Sequence, residues 1–518
     1  MADITRGVRA FTFGTAVSRV LGLARESVRA FLYGAGRATD AYLAAFRILD
    51  LLRDLFAEST LSAAIVPILT AQKQKSITEQ NKLASNIFNI LFIFVGIITL
   101  AGIFLSPYIT RVIAFGFVNI PGKLELTSQL TAVMFPFLLF IALAAWAMSY
   151  LNTENEFLIP SLAPAAFNLF SIVTTIVLYA YLARRGIDPI FALAIGALVG
   201  GLMQFFIQVP MLFKKGFHYY FYVNLKDKEF LKVLAIFIPV AIGLAGSRIN
   251  VAVDVIMVSF LEERSMTWLD YAFRVMHLPL GLFGIAVGTV ALPALSQFVL
   301  EKKFPELREA TFDALKLVLF LTISTSVIIA FLSYPIIKII YERGKFTGFD
   351  TRATTQALIL YMIGVPFMSG IRNLAAVFYA FKDSKTPMYA SFASIGVHIA
   401  LNLVLMWFIG FRSFPLTTSV AALANLVILF YYLPRKIGQF DIKPILKYSG
   451  LLTISSGIAG VCGLIFIKLA FPTIKATLIT QVIAILLAGS VSLLVFYIVC
   501  RLLGVNEVKD YVKRMVKR

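Results

Sequence analysis

"NILFIFVGIITLAGIFL" fills residues 89–105 without a single charge. A helix rises about 1.5 Å per residue, so this run comes close to crossing the roughly 30 Å hydrocarbon core of a bilayer. Comparable runs recur at "FNLFSIVTTIVLYAYLA" (167–183), "LLTISSGIAGVCGLIFIKLAF" (451–471) and "ITQVIAILLAGSVSLLVFYIVC" (479–500). Inside a bilayer every backbone N–H and C=O must be satisfied within the protein, which leaves helices and closed barrels. Runs this long select helices. Of the 518 residues, 59% are hydrophobic and 14% are charged, against about 25% charged in an ordinary soluble domain. The chain reads as an all-α polytopic membrane protein. The gaps between apolar runs are too short for a soluble domain.

Hydropathy and turn signals place 14 spans, near 8–33, 39–71, 86–111, 127–152, 157–183, 189–213, 231–261, 267–299, 312–341, 353–381, 386–410, 415–433, 446–471 and 477–503. Lys and Arg collect in alternate loops, as in "KQK" (73–75), "KK" (214–215), "EKKFPELR" (301–308), "PRK" (434–436) and "KDYVKRMVKR" (509–518). The positive-inside rule puts these loops and both termini in the cytoplasm, which agrees with an even number of spans. The net charge of +20 is then topology charge, and no nucleic-acid motif accompanies it. Cys462 and Cys500 both sit in apolar runs and imply no disulfide framework. "MADITRGVRAF" has no long apolar segment followed by a small-residue cleavage site, so no cleaved signal peptide is expected.

The chain contains a weak internal repeat. "MFPFLLFIALAAWAMSYLNTENEFLIP" (134–160) echoes "GVPFMSGIRNLAAVFYAFKDSKTP" (364–387), and "AAFRI" (44–48) echoes "YAFRV" (271–275). Both pairs are six spans apart, and an even offset preserves orientation. This predicts a parallel duplication, with a pseudo-two-fold axis along the membrane normal. The expected organisation is an N-lobe at 1–222 (spans 1–6), a C-lobe at 223–440 (spans 7–12), and a C-terminal helix pair with a basic tail at 441–518. Two six-helix lobes would face each other across a cavity and rock to give alternating access.

Charge patterning predicts a polar wall for that cavity. In "SRVLGLARESVRA" (18–30), Ser18, Arg19, Gly22, Arg25, Glu26 and Arg29 fall within an arc of about 120° at about 100° per residue. In span 2, Asp40, Arg47, Asp54 and Glu58 share a narrow stripe that Asp50 and Arg53 extend. An arginine facing lipid costs about 2.5–3.5 kcal/mol on insertion scales, so these faces must look elsewhere. Either they bridge one another and pin two helices, or they line a hydrated cavity. Guanidinium groups suit bidentate capture of phosphate, so the cavity reading points to an anionic head group.

The second half is sparser. Asp270, Arg274 and His277 align on span 8, Asn250 and Asp254 on span 7, and His398 and Asn402 on span 11. Asp254, His398, Asn402 and Thr418 form a candidate Na⁺ site, although a histidine ligand suits a hard cation poorly. A lone histidine is also compatible with ordinary polar packing. No Walker A loop, HExxH, GxSxG, EF-hand or zinc spacing occurs, so no enzyme chemistry and no cofactor are indicated. Drive would come from an ion gradient (Na⁺ or H⁺), the membrane potential or the substrate gradient. A multidrug/cation antiporter, a flippase for another lipid-linked oligosaccharide of O-antigen type, and a membrane scaffold are the alternatives. The arginine excess disfavours a cation cavity, and the missing extracytoplasmic domain disfavours a lipid-using glycosyltransferase.

"SRVLGLARE", "ATDAYLAAFRILDLLRDLFAE", "LNTENEFLIPSLAPAAFNL", "HLPLGLFGIAVGTVALPALS" and "YERGKFTGF" closely resemble segments of the MviN family of bacterial lipid II flippases, in the multidrug/oligosaccharidyl-lipid/polysaccharide exporter superfamily. The likeness runs through spans 1–12; spans 13–14 match by position and hydropathy. It implies 14 helices, an inner-membrane location and export of undecaprenyl-pyrophosphate-linked disaccharide-pentapeptide for peptidoglycan synthesis. A monomer in contact with membrane lipids is expected. The resemblance carries substrate binding to Arg19, Arg25, Glu26, Asp40, Arg53 and Arg274, and the sodium site to Asp254, His398, Asn402 and Thr418. It also implies a groove for the polyprenyl tail at spans 13–14. The chain departs from the family pattern at Phe273, at Ser59-Thr60, at Ala376 (with Arg372 a turn earlier) and at His398, which replaces an amide.

Overall fold

The computed structural model describes residues 2–55, 58–470 and 477–505, and its regular secondary structure there is entirely helical. The chain forms two compact units, Met1–Thr267 and Trp268–Arg518. The first contains α1 (Ala2–Tyr33), α2 (Arg37–Leu55), α3 (Glu58–Lys75), α4 (Ile77–Ile113), α5 (Lys123–Met134), α6 (Pro136–Thr153), α7 (Leu158–Arg184), α8 (Phe191–Phe206), α9 (Val209–Lys214) and α10 (Lys228–Val258). Then α11 (Ser265–Pro279) begins, with its first three residues in the first unit. The second unit continues with α12 (Ile285–Leu300), α13 (Phe304–Tyr341), α14 (Gly348–Ala380), α15 (Lys385–Ile409), α16 (Ser413–Tyr432), α17 (Pro434–Ile437), α18 (Lys443–Ala470) and α19 (Leu478–Leu502).

Among the described residues every predicted span is occupied by helix, and several are broken beside a proline or at a change of helix type. Pro136 opens α6 directly after α5, and Pro210 lies in the first turn of α9. Such positions suit proline, because the first turn leaves its N–H unused anyway. Between α11 and α12, just after Pro279, Leu280–Gly284 forms a π-helical turn. Among the described residues nine stretches are long and apolar enough to cross a membrane; one, Lys385–Ile437, runs through two predicted spans. The charge-bearing helices α1 and α2 are not among the nine.

The units divide at Thr267, whereas the repeat divides at 222. The difference is α10, which packs against α2, α3 and α4 within the first unit. In the second unit Leu315, Val318, Val377, Leu429, Leu452 and Phe496 belong to one buried apolar cluster. The appended helices share in it: Phe496 of α19 meets Phe320 of α13 at 5.6 Å between ring centroids. The pair α18–α19 is therefore docked on α13.

Close helix approach in the first unit rests on small residues. A Cβ added to Gly196 of α8 would fall 2.6 Å from Thr175 Oγ1 and 2.9 Å from the Ser171 carbonyl of α7. At Gly200, one GxxxG interval on, it would fall 2.7 Å from the Phe167 carbonyl. Between membrane helices packing, not water exclusion, drives association, so this contact matters. Gly196→Val should destabilise the protein by about 1–3 kcal/mol, the usual cost of overpacking. A thermal melt in detergent checks this, and an unchanged midpoint would contradict the packing described.

Candidate functional site

The charged arc of α1 divides into three environments. Its Gly14–Ser18–Gly22 edge lies against α7: a Cβ on Gly14 would collide with Ser161, and Asn168 Nδ2 donates to the Ser18 carbonyl at 3.1 Å. One turn on, Glu26 is buried and joins two arginines, with Oε1 2.9 Å from Arg25 Nη2 and Oε2 2.9 Å from Arg29 Nη1. Arg25 also lies over the Phe167 ring at 5.0 Å. Arg19 is exposed. So Glu26 works as a shared internal counter-ion for Arg25 and Arg29.

The same arrangement recurs on other helices. Arg53 Nη1 lies 3.2 Å from Asp50 Oδ1, three residues earlier on α2. Arg274 Nε lies 3.0 Å from the buried Asp270 Oδ2, four residues earlier on α11. Each guanidinium is held by a carboxylate of its own helix, which fixes its orientation at little entropic cost. The side chains of Asp54 and Glu58 lie outside the described residues.

Asp40 stands apart. It is 1% exposed, and both carboxylate oxygens are taken by protein groups. Oδ2 accepts from the Arg264 N–H at 2.7 Å and from Lys123 Nζ at 3.2 Å. Oδ1 accepts from the Thr267 N–H at 3.1 Å and its hydroxyl at 2.6 Å. Arg264 reaches this geometry with φ at 81°, in the left-handed region, and the carboxylate caps the positive end of α11. Lys123 is equally buried, with its ammonium 4.1 Å from the Phe117 ring centre. Sequence reasoning grouped Asp40 with the cavity arginines; the partner it missed, Lys123, lies 83 residues away in a stretch with no helical register to Asp40.

His398 and Asn402 do meet, with Asn402 Nδ2 3.1 Å from His398 Nε2, both buried in the second unit. Thr418 donates its hydroxyl to the Phe414 carbonyl at 2.7 Å. Asp254 belongs to the first unit. No group of three His, Cys, Asp or Glu suited to a metal occurs among the described residues. Around Arg274, Phe273 stacks on His277 with centroids 4.1 Å apart, and Arg372 is exposed while Ala376 is buried.

The fold is that of multi-span transporters. A multidrug transporter of the MATE family, in the MOP superfamily, solved in an inward-facing conformation, superposes with TM-score 0.65 at 14% identity, covering 81% of this chain and 94% of its own. A lipid II flippase MurJ solved in an inward closed conformation superposes with TM-score 0.75 at 30% identity, covering 95% and 99%. The sequence profile of "Lipid II flippase MurJ" matches residues 29–499. A probable lipid II flippase MurJ of Vibrio cholerae is 34% identical over 82% of this chain and 83% of its own length. Another, of Buchnera aphidicola, is 28% identical over 96% and 97%. The chain belongs to the MurJ lipid II flippase family.

Removing one partner of a buried ion pair costs about 3–5 kcal/mol. Asp40→Ala should therefore lower the melting midpoint sharply, whereas Arg19→Ala should leave it unchanged. Lys123→Met should also destabilise, and Asp40→Ala combined with Lys123→Met should be less destabilised than the sum of the two single losses. Additive losses would contradict a direct Asp40–Lys123 interaction.

Proposed function

We propose that the protein carries lipid II from the inner to the outer leaflet of the bacterial inner membrane by alternating access, without enzymatic chemistry. Family membership over residues 29–499 supports this reading most strongly. The arginines supply its physical basis. Lipid II presents a diphosphate, and Arg19, Arg25, Arg53 and Arg274 are proposed to bind it. Glu26, Asp50 and Asp270, which hold Arg25, Arg53 and Arg274, act as positioning residues. Asp40 is assigned to the support of the α11 N-terminus, where it sets the course of the helix bearing Arg274. Neutralising the bound arginines favours one state over the other, the differential affinity any such cycle needs. Asp254 is the group proposed to carry a coupling ion, Na⁺ or H⁺.

The proposed topology has 14 spans, with cytoplasmic termini and two six-span repeats in parallel. Matching local structure in the two repeats supports it. Asn155 and Lys382, each five residues before the closing proline of the repeat, have φ of 56° and 59°. The next residue in each, Glu156 or Asp383, donates its N–H back to Leu151 or Phe378 at 2.9 Å. Each then pairs with a lysine following its sixth span: Glu156 with Lys215 at 3.4 Å, and Asp383 with Lys436 at 3.0 Å. Burial would raise the Asp383 carboxyl, but the Thr386 N–H and hydroxyl and the Lys436 ammonium outweigh it and hold it down at about 2. The stabilisation from this turn is complete above the ordinary carboxyl value and is lost as pH falls through about 2.

Complementation of a flippase-depleted bacterium tests the function. The parent chain should restore growth. Arg25→Ala and Arg274→Ala should fail while inserting normally, because loss of a charge-assisted hydrogen bond costs about 1.5–3 kcal/mol, or roughly ten- to a hundredfold in affinity. Asp270→Asn should give partial rescue. Failure of the inserted parent chain would overturn the substrate assignment, and full rescue by both alanine variants would overturn the arginine roles.

A further inference from the structure

The stretch "FHYYFYVNL" (217–225) joins α9 to α10 in extended form, and its two faces differ completely. One face is fastened to the N-terminal third of α4. Asn81 Nδ2 donates to the Gly216 carbonyl at 3.0 Å, and Ser85 Oγ accepts the Tyr220 N–H at 3.0 Å. Asn86 exchanges two bonds with the Asn224 backbone, at 2.7 and 3.0 Å, and Asn89 Nδ2 donates to the Tyr222 carbonyl at 3.0 Å. Residues 81, 85, 86 and 89 share one helix face, so amides and a hydroxyl replace the neighbouring strand that the extended backbone lacks. Phe217 secures the start, with Trp146 and Tyr150 at 5.3 and 5.2 Å between centroids.

The opposite face is apolar and open. Tyr219, Phe221, Val223 and Leu225 alternate with the fastened residues, and all four are exposed, Phe221 to 91%; Tyr219 leaves its ring open while its hydroxyl donates to Asn89 Oδ1 of α4 at 2.8 Å. In water such an alternation would leave a costly apolar ribbon. Exposed Lys214, Lys226 and Lys228 flank it. The ribbon is continuous with the apolar flank of α4: Phe88 contacts Tyr219 at 6.1 Å on one side and the exposed Phe92 at 6.3 Å on the other. Its attachment points, Asn81 to Asn89, cover about 12 Å of α4 and lead directly into the uncharged apolar run of residues 89–105, so the strap lies beside one end of a membrane-crossing stretch.

We propose that residues 217–225 form an interfacial strap. Its Tyr219–Phe221–Val223–Leu225 face enters the boundary between head groups and acyl chains, and Lys214, Lys226 and Lys228 engage anionic lipid head groups. Aromatic residues favour this layer because their rings are apolar and their rims polar, and basic residues near it are drawn to acidic lipid. The strap is held rigidly by α4, so it meets the lipid without any ordering cost of its own. This inference does not depend on the head-group arginines.

A nitroxide at position 221 tests it. Phe221→Cys in a Cys462→Ala background would be labelled and reconstituted in phosphatidylcholine bilayers with or without phosphatidylglycerol, with Lys302→Cys as a loop control. Collision with oxygen should exceed collision with a water-soluble nickel chelate at 221 and fall below it at 302. Phosphatidylglycerol should deepen the label, and changing Lys214, Lys226 and Lys228 to Gln should abolish that deepening while oxygen access persists. A 221 label as open to nickel as the 302 label would overturn the proposal, leaving a face bathed in water or reserved for another protein. A depth indifferent to phosphatidylglycerol in the parent chain would overturn the role of the lysines.

Discussion

The cost of carrying charge through hydrocarbon governs this protein. Arg25, Arg29, Arg53 and Arg274 lie on helices of a multi-span membrane protein, and each sits within bonding distance of a carboxylate on its own helix. Pairing lowers the penalty of burying the guanidinium and fixes its direction. On α1 two arginines share Glu26, and Arg19 adds a third, exposed cation.

Support for this arrangement comes from packing that leaves little freedom. Gly14, Ser18 and Gly22 bring α1 against α7, and Arg25 rests on Phe167, whose carbonyl in turn crowds Gly200 of α8. Small residues, arginine and aromatic ring thus form one stack through three helices. Asp40 does comparable work at the start of α11, where a carboxylate, a buried lysine and a left-handed arginine backbone meet.

Much of this was legible in the sequence. Apolar runs marked the helices, because a backbone in lipid has so few alternatives. The i, i+3 and i, i+4 spacings placed Asp50 with Arg53 and Asp270 with Arg274 on shared helix faces, but bridging was expected between helices, whereas these pairs close within one helix. The breaks in long spans fall beside Pro136, Pro210 and Pro279 but were not legible, because hydropathy averages over them and Pro107, Pro335 and Pro366 lie inside unbroken helices. Contacts between distant segments were not legible: nothing in "GKLEL" says that Lys123 is buried against Asp40. Nor does "FHYYFYVNL" announce an extended strap, because its partner groups belong to α4 side chains more than a hundred residues earlier. Asp40 shows the general hazard, since composition alone does not separate a carboxylate that faces a cavity from one enclosed by protein.

The central claim is that arginines held by their own helices capture the diphosphate of the lipid. Equilibrium binding of purified lipid II to the protein in nanodiscs, compared with an Arg19→Gln/Arg25→Gln variant of unchanged melting midpoint, measures it directly. The account predicts that affinity falls by at least about tenfold and that the residual binding depends less steeply on ionic strength. Equal affinity in the two proteins would contradict it.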